Sequence, residues 1–303
     1  MKNIYIYFSK PSQHLFYLSI LRLFICFHLA KDVIFHWSLT NLLYKPESFF
    51  VPGLDGLFYF LGINQDWLRV HFDIIFIIYQ ILILLYALGI GKYITAIFLY
   101  AVFEIIQRLN ANILNGGDNY LKFIILYMVF CNSYQYFSLT KIRQRNPFWS
   151  FASNLITNIS IFNLKLHLCL IYFISGLAKA HSDVWYNGIA NYYILQVERF
   201  QGTSINKILA RNGFFVTIST YFTLVWELFF PILVWIKKLR IPLLLMGILL
   251  HIMIYIFLMI YDFEIIFIVV YGIFFTDEEL FQFYNNIKTY FKLYAKRLHL
   301  RNG

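Results

Sequence analysis

Residues 165–200 read KLHLCLIYFISGLAKAHSDVWYNGIANYYILQVERF. The first half is a largely apolar run, and about 20 such residues carry a helix across a hydrocarbon core of ~30 Å. Lipid offers backbone groups no partner, so only helices or closed barrels can span it. The run lacks the alternation of a barrel strand and predicts a helix. It closes on Gly176, Lys179, Trp185 and Gly188. A lysine closing an apolar helix has two readings. One is a cation that snorkels to the interface. The other is a partly desolvated amine that serves as a base. Spacing alone favours the first, because end-of-helix lysines are common.

The rest of the chain has the same character. It is 60% hydrophobic, 21% aromatic and 13% charged, which excludes an ordinary soluble globular protein. The fold class expected is all-α, a polytopic transmembrane helical bundle of about eight membrane helices, with seven as the alternative. The net charge of +10 reads as a cytoplasmic-face bias in contact with anionic lipid, and not as a nucleic-acid footprint. Cys26, Cys131 and Cys169 all fall inside predicted membrane helices, so they are read as small core residues and not as a disulfide framework.

Taken in order, the predicted helices cover residues 15–35, 68–90, 93–112, 119–137, 161–180, 214–236, 241–261 and 263–275. The aromatic loop 36–66, with Phe49-Phe50-Val51 and Leu57 to Leu61, is expected along the membrane surface. Lys141, Arg143 and Arg145 make a basic loop. The segment 181–213 is too polar to span and predicts short interfacial helices. With the N-terminus inside, 14 Lys and Arg fall on the cytoplasmic face and 9 on the other, with Arg22 and Lys165 inside spans. This bias predicts both termini in the cytoplasm of a multi-pass cell-membrane protein and Lys179 on the outer side. Residues 276–303 predict a basic amphipathic helix on the cytoplasmic surface, opened by a Thr276/Glu279 capping box, with Leu280, Phe283, Ile287, Phe291, Tyr294 and Leu298 as its apolar stripe.

Ionisable residues inside spans are costly and need a partner or a purpose. Glu104 and Arg108 are spaced for an intrahelical ion pair. His28 and Asp32 share a face, and Arg22 is expected to anchor another helix. His251, Tyr255, Leu258 and Asp262 fall on one predicted stripe. His251 reads as a neutral core histidine or a catalytic one, and Glu227, just before Pro231, as a core acid or a general acid/base. No metal-ligand spacing, nucleotide loop or nucleophile elbow occurs, so no metal is expected.

The order Leu21-Arg22-Leu23, Asn115-Gly-Gly-Asp118, Gly176-x-x-Lys179, Trp185-x-x-Gly188, Glu227 before Pro231 and His251 resembles the horizontally transferred transmembrane (HTTM) family. That family is related to vitamin K-dependent gamma-glutamyl carboxylase, and the resemblance covers roughly residues 12–275. It implies a reduced quinone as co-substrate and Lys179 as the candidate base, with Glu227 and His251 as further catalytic candidates. It also implies a secreted peptide precursor as partner at the outer face, beside the lipid bilayer. The carboxylase carries a lysine pair where this chain has Ala178-Lys179, and its large domain after the helices has no counterpart in these 303 residues. The alternative expectation is a transporter or a non-catalytic membrane partner, whose intramembrane charges are structural or form a proton path.

Overall fold

The computed structural model describes residues 8–46, 55–140 and 146–299, with side chains described to residue 289. Phe49-Phe50-Val51, the basic residues Lys141, Arg143 and Arg145, and the side chains of the tail positions Phe291, Tyr294 and Leu298 lie outside what is described. Among the described residues every regular element is helical. The principal helices are α1 (Leu15–His36), α2 (Phe72–Ala87), α3 (Tyr93–Leu109), α4 (Gly116–Phe130) and α5 (Pro147–Ala180). They continue as α6 (Gly213–Leu233), α7 (Lys237–Leu258), α8 (Tyr261–Val270) and α9 (Asp277–His299). Short helices fill the two long connections: Thr40–Leu43, Gly56–Phe60 and Gln65–Val70 in the first, and Asp183–Tyr186, Ala190–Ile194 and Ile205–Arg211 in the second.

Three helices, α5, α6 and α7, are long and apolar enough to cross a membrane. The surface agrees with that reading, because its polarity is inverted. On α2 the exposed positions include Ile74, Ile77, Ile78, Ile81 and Leu84, and on α7 Leu245, Leu249, Ile252 and Ile256. Arg22, His28, Glu227, His251 and Glu264 are buried. Water penalises such an arrangement and lipid rewards it. The chain is a membrane protein.

The chain forms two compact units, residues 1–109, 128–160 and 272–303 in one and residues 110–127 and 161–271 in the other. In the first, Leu18, Leu21, Ile25 and Leu29 recur at helical spacing and are buried on α1. The first turn of α1 is capped from far along the sequence: the Asp277 carboxylate accepts from the Phe16 and Tyr17 amides at 2.8 and 3.0 Å. An anion there satisfies orphan donors and meets the positive end of the helix dipole. The predicted capping box is formed, with the Thr276 amide donating to Glu279 at 2.9 Å and the Glu279 amide to Thr276 at 3.2 Å. Glu104 and Arg108 pair at 3.1 Å as expected, and Arg108 also holds Asp55 at 3.0 Å.

The two largest departures from the predicted helix boundaries are at the end of the fourth helix and the start of the fifth. The fourth helix ends at Phe130, seven residues early, because the following segment turns back on α1. Arg22 Nη2 donates there to the carbonyls of Phe137 and Tyr136 at 2.6 and 3.2 Å, and Phe137 adopts a left-handed φ of 53°. The fifth helix begins at Pro147, not 161. Proline suits the first helical position, and the Asn146 side chain accepts from the Phe148 amide at 3.1 Å. At 34 residues α5 is about 51 Å long, well beyond the hydrocarbon core.

In the second unit, α7 and α8 are separate helices, broken where Met259 takes a left-handed φ of 56°. The freed carbonyl of Phe257 is satisfied by the Gly202 amide at 3.0 Å and by Asn206 Nδ2 at 2.7 Å. This break overturns the expected stripe from His251 to Asp262, since one helical phase does not run through it.

Candidate functional site

Helix α5 carries Tyr172, Ser175, Gly176 and Lys179 on one face, at the three- and four-residue spacings that stack side chains. Gly176 lets α6 approach closely. A Cβ there would stand 3.0 Å from the Leu228 side chain and 3.2 Å from its backbone nitrogen. Small residues at helix crossings allow this contact in membranes. The approach brings Glu227 of α6 to Lys179. Lys179 Nζ donates to both carboxylate oxygens of Glu227, at 2.5 and 2.6 Å, and to Ser175 Oγ at 2.8 Å. The Trp185 ring lies 5.1 Å from the same nitrogen, within range of a cation–π contact. The Lys179 side chain is 22% exposed and that of Glu227 is 9% exposed.

The polar contacts of Lys179 come from α5 and α6, and its cation–π contact from the Asp183–Tyr186 helix. Ser175 also lines a groove of ≈ 540 Å³, together with Leu170, Ile171 and Ile174 and with Tyr127 and His167 further along. The Tyr127 hydroxyl and His167 Nδ1 lie 3.2 Å apart.

His251 is not beside Lys179 in this arrangement; it heads a second cluster. Its Nδ1 bonds the Glu264 carboxylate, and its Nε2 lies 2.6 Å from the Tyr172 hydroxyl and 3.0 Å from that of Tyr271. The two phenols are 2.6 Å apart. An Nδ1 held by a carboxylate carries the proton, which leaves Nε2 to accept from a tyrosine. All four side chains are buried. Trp226, the neighbour of Glu227 in sequence, packs edge-on to Tyr172 at 4.8 Å. Gly247 makes room for it: a Cβ there would come within 2.5 Å of Trp226 and 2.7 Å of the Tyr271 hydroxyl. Along α5, Tyr172 and Lys179 are seven residues apart, about 10 Å of helix.

Of the three candidates read from sequence, the structure pairs Lys179 with Glu227 and gives His251 different partners. Glu264, Tyr172, Tyr271 and Gly247 were not singled out as site residues. His251 and Glu264 are thirteen residues apart across a helix break, so no periodicity links them. In comparisons with known proteins, no family model, no characterised protein and no solved structure matches this chain.

Proposed function

We propose that this chain is a multi-pass membrane protein of the HTTM type that modifies a secreted peptide at the outer membrane face, with Lys179 as the proton-accepting group. The observation that carries the reading is the two-oxygen contact between Lys179 and Glu227 at 2.5 and 2.6 Å. In a poorly solvated setting an ion pair loses much of its advantage over the neutral pair. Moving one proton from the ammonium to the carboxylate leaves a free amine beside a carboxylic acid. That amine can then take a proton from a substrate, while Glu227 stores the one displaced. Ser175 fixes the amine, and Trp185 favours its return to the charged form.

The groove that shares Ser175 suits the quinone which the family resemblance implies. Its walls are largely aliphatic, and its polar groups, Ser175, Asn163 and Tyr127 with His167, can orient carbonyl or hydroxyl oxygens. A reduced quinone bound there would supply the acidic hydroxyl and the reducing equivalents. This chain's own part is to hold it in an apolar slot and to present Lys179 through Ser175.

A second reading, proton-coupled transport, is favoured by the Glu264–His251–Tyr172–Tyr271 chain, since linked carboxylate, imidazole and hydroxyl groups inside a membrane form proton relays. One comparison separates the two. Mass spectrometry of peptides secreted by the native host, with and without this gene, should show one peptide whose mass changes or which disappears on deletion and returns on complementation. An unchanged set of secreted peptides, with proton flux in proteoliposomes that depends on His251, would favour transport instead.

A further inference from the structure

Arg22 of α1 is completely buried. A guanidinium remains protonated at any site a protein offers, and a buried charge is costly without compensation. The carbonyls of Tyr136 and Phe137 take care of Nη2 alone. Nε and Nη1 have no hydrogen-bond partner among the described residues. Gly89, with φ of 68°, makes room for the head group, since a Cβ there would lie 2.6 Å from Nη1.

The surroundings hold further donors. The Tyr134 ring is 5.4 Å from Arg22 Cζ, and the Tyr86 ring is 6.3 Å from that of Tyr134. The hydroxyls of Tyr86, Tyr134 and Ser133 are buried, and those of the two tyrosines lie against that of Ser133. Joining three hydroxyls uses two of their hydrogens, which leaves one to offer beside the two guanidinium nitrogens.

Among the described residues no carboxylate is at hand to receive them. The titratable groups acting on Arg22 are Tyr86, Cys26 and Tyr134. Asp and Glu are absent from residues 1–31, 74–103 and 119–182, which include the segments packed around Arg22. Asp277, held against the first turn of α1, is already engaged by the Phe16 and Tyr17 amides.

We propose that Arg22, Tyr86, Tyr134 and Ser133 bind a small monovalent anion of halide size. A single negative charge balances the guanidinium. The size follows from burial: Arg22 and Ser133 are 0% exposed and Tyr86 and Tyr134 are 1% exposed, which leaves no passage for a phosphate or carboxylate on a chain. The anion would join α1, the end of α2 and the segment after α4, the same three pieces that Arg22 already gathers.

The test uses the full-length protein in detergent, unfolded by heat in sodium gluconate, chloride or bromide at constant ionic strength. Chloride and bromide should raise the unfolding temperature saturably by about 5 °C over gluconate. Arg22→Gln should abolish the rise, and Tyr134→Phe should reduce it. Equal unfolding temperatures in gluconate and chloride would overturn the proposal, as would a rise that persists in both variants. If Arg22→Gln does not fold, the Tyr86→Phe/Tyr134→Phe variant decides: a lost rise supports the anion, and a retained rise refutes it.

Discussion

At the residue scale, the pair of Lys179 and Glu227 poses the question of structure against chemistry. Removing one partner of a buried pair strands the other charge, so Glu227→Gln should lower stability by about 2 kcal/mol, less than a fully buried pair would lose because Lys179 is partly exposed. The combined Lys179→Met/Glu227→Leu variant should regain most of that in thermal unfolding, since apolar replacements of buried pairs are often neutral. If it folds well and still lacks activity, the pair serves chemistry; if it remains active, the pair is packing. Asp55 gives a second residue-scale expectation. Burial pushes its carboxyl up, but the Phe58 and Leu57 amides and the Arg108 guanidinium outweigh that and hold it below the usual range. A depressed carboxylate stabilises the fold above its unfolded value, and the contribution is lost as pH falls through its folded value. Acid unfolding measured from pH 6 to 3 should therefore be less steep in Asp55→Asn than in the wild type. Lys179 and Glu227 were legible as candidates because each is an isolated charge within an apolar run. Their pairing was not, since 48 residues separate them and a glycine crossing, not a periodicity, joins them.

At the element scale, helix identity was easier to read than helix ends. Each of the eight predicted apolar stretches overlaps an observed helix, because continuous apolar runs of this length have few other options. The ends were set by contacts from elsewhere in the chain: Arg22 drawing in the carbonyls after α4, Asn146 and Pro147 starting α5 early, and Met259 breaking α7 from α8. Gly176 is the element-scale feature that matters most for the site. Gly176→Ala should be tolerated only if Leu228 shifts by a few tenths of an ångström. Gly176→Leu should push α5 and α6 apart, costing about 1–3 kcal/mol from overpacking and separating Lys179 from Glu227. Thermal unfolding and activity measured together would show both losses. Full activity in Gly176→Leu would mean the close crossing does not position the pair.

At the scale of the whole molecule, three helices meet the length and apolarity needed to span, and the outward-facing aliphatic residues fit lipid. The eight-span topology with both termini inside is our proposal from charge bias. Reporter fusions at Lys238 and at the C-terminus should give cytoplasmic signals and one at Lys207 an external signal; a cytoplasmic signal at Lys207 would reverse the side on which Lys179 faces. The central claim, that Lys179 accepts a proton during modification of a secreted peptide, is tested most directly by Lys179→Arg in the native host. Arginine keeps the charge and can still meet Glu227, but it does not give up its proton. The account predicts that the variant accumulates normally in the membrane while the modified peptide vanishes from the secreted fraction, as it does with Lys179→Ala. Wild-type levels of modified peptide in Lys179→Arg would contradict it and make the residue an interfacial anchor.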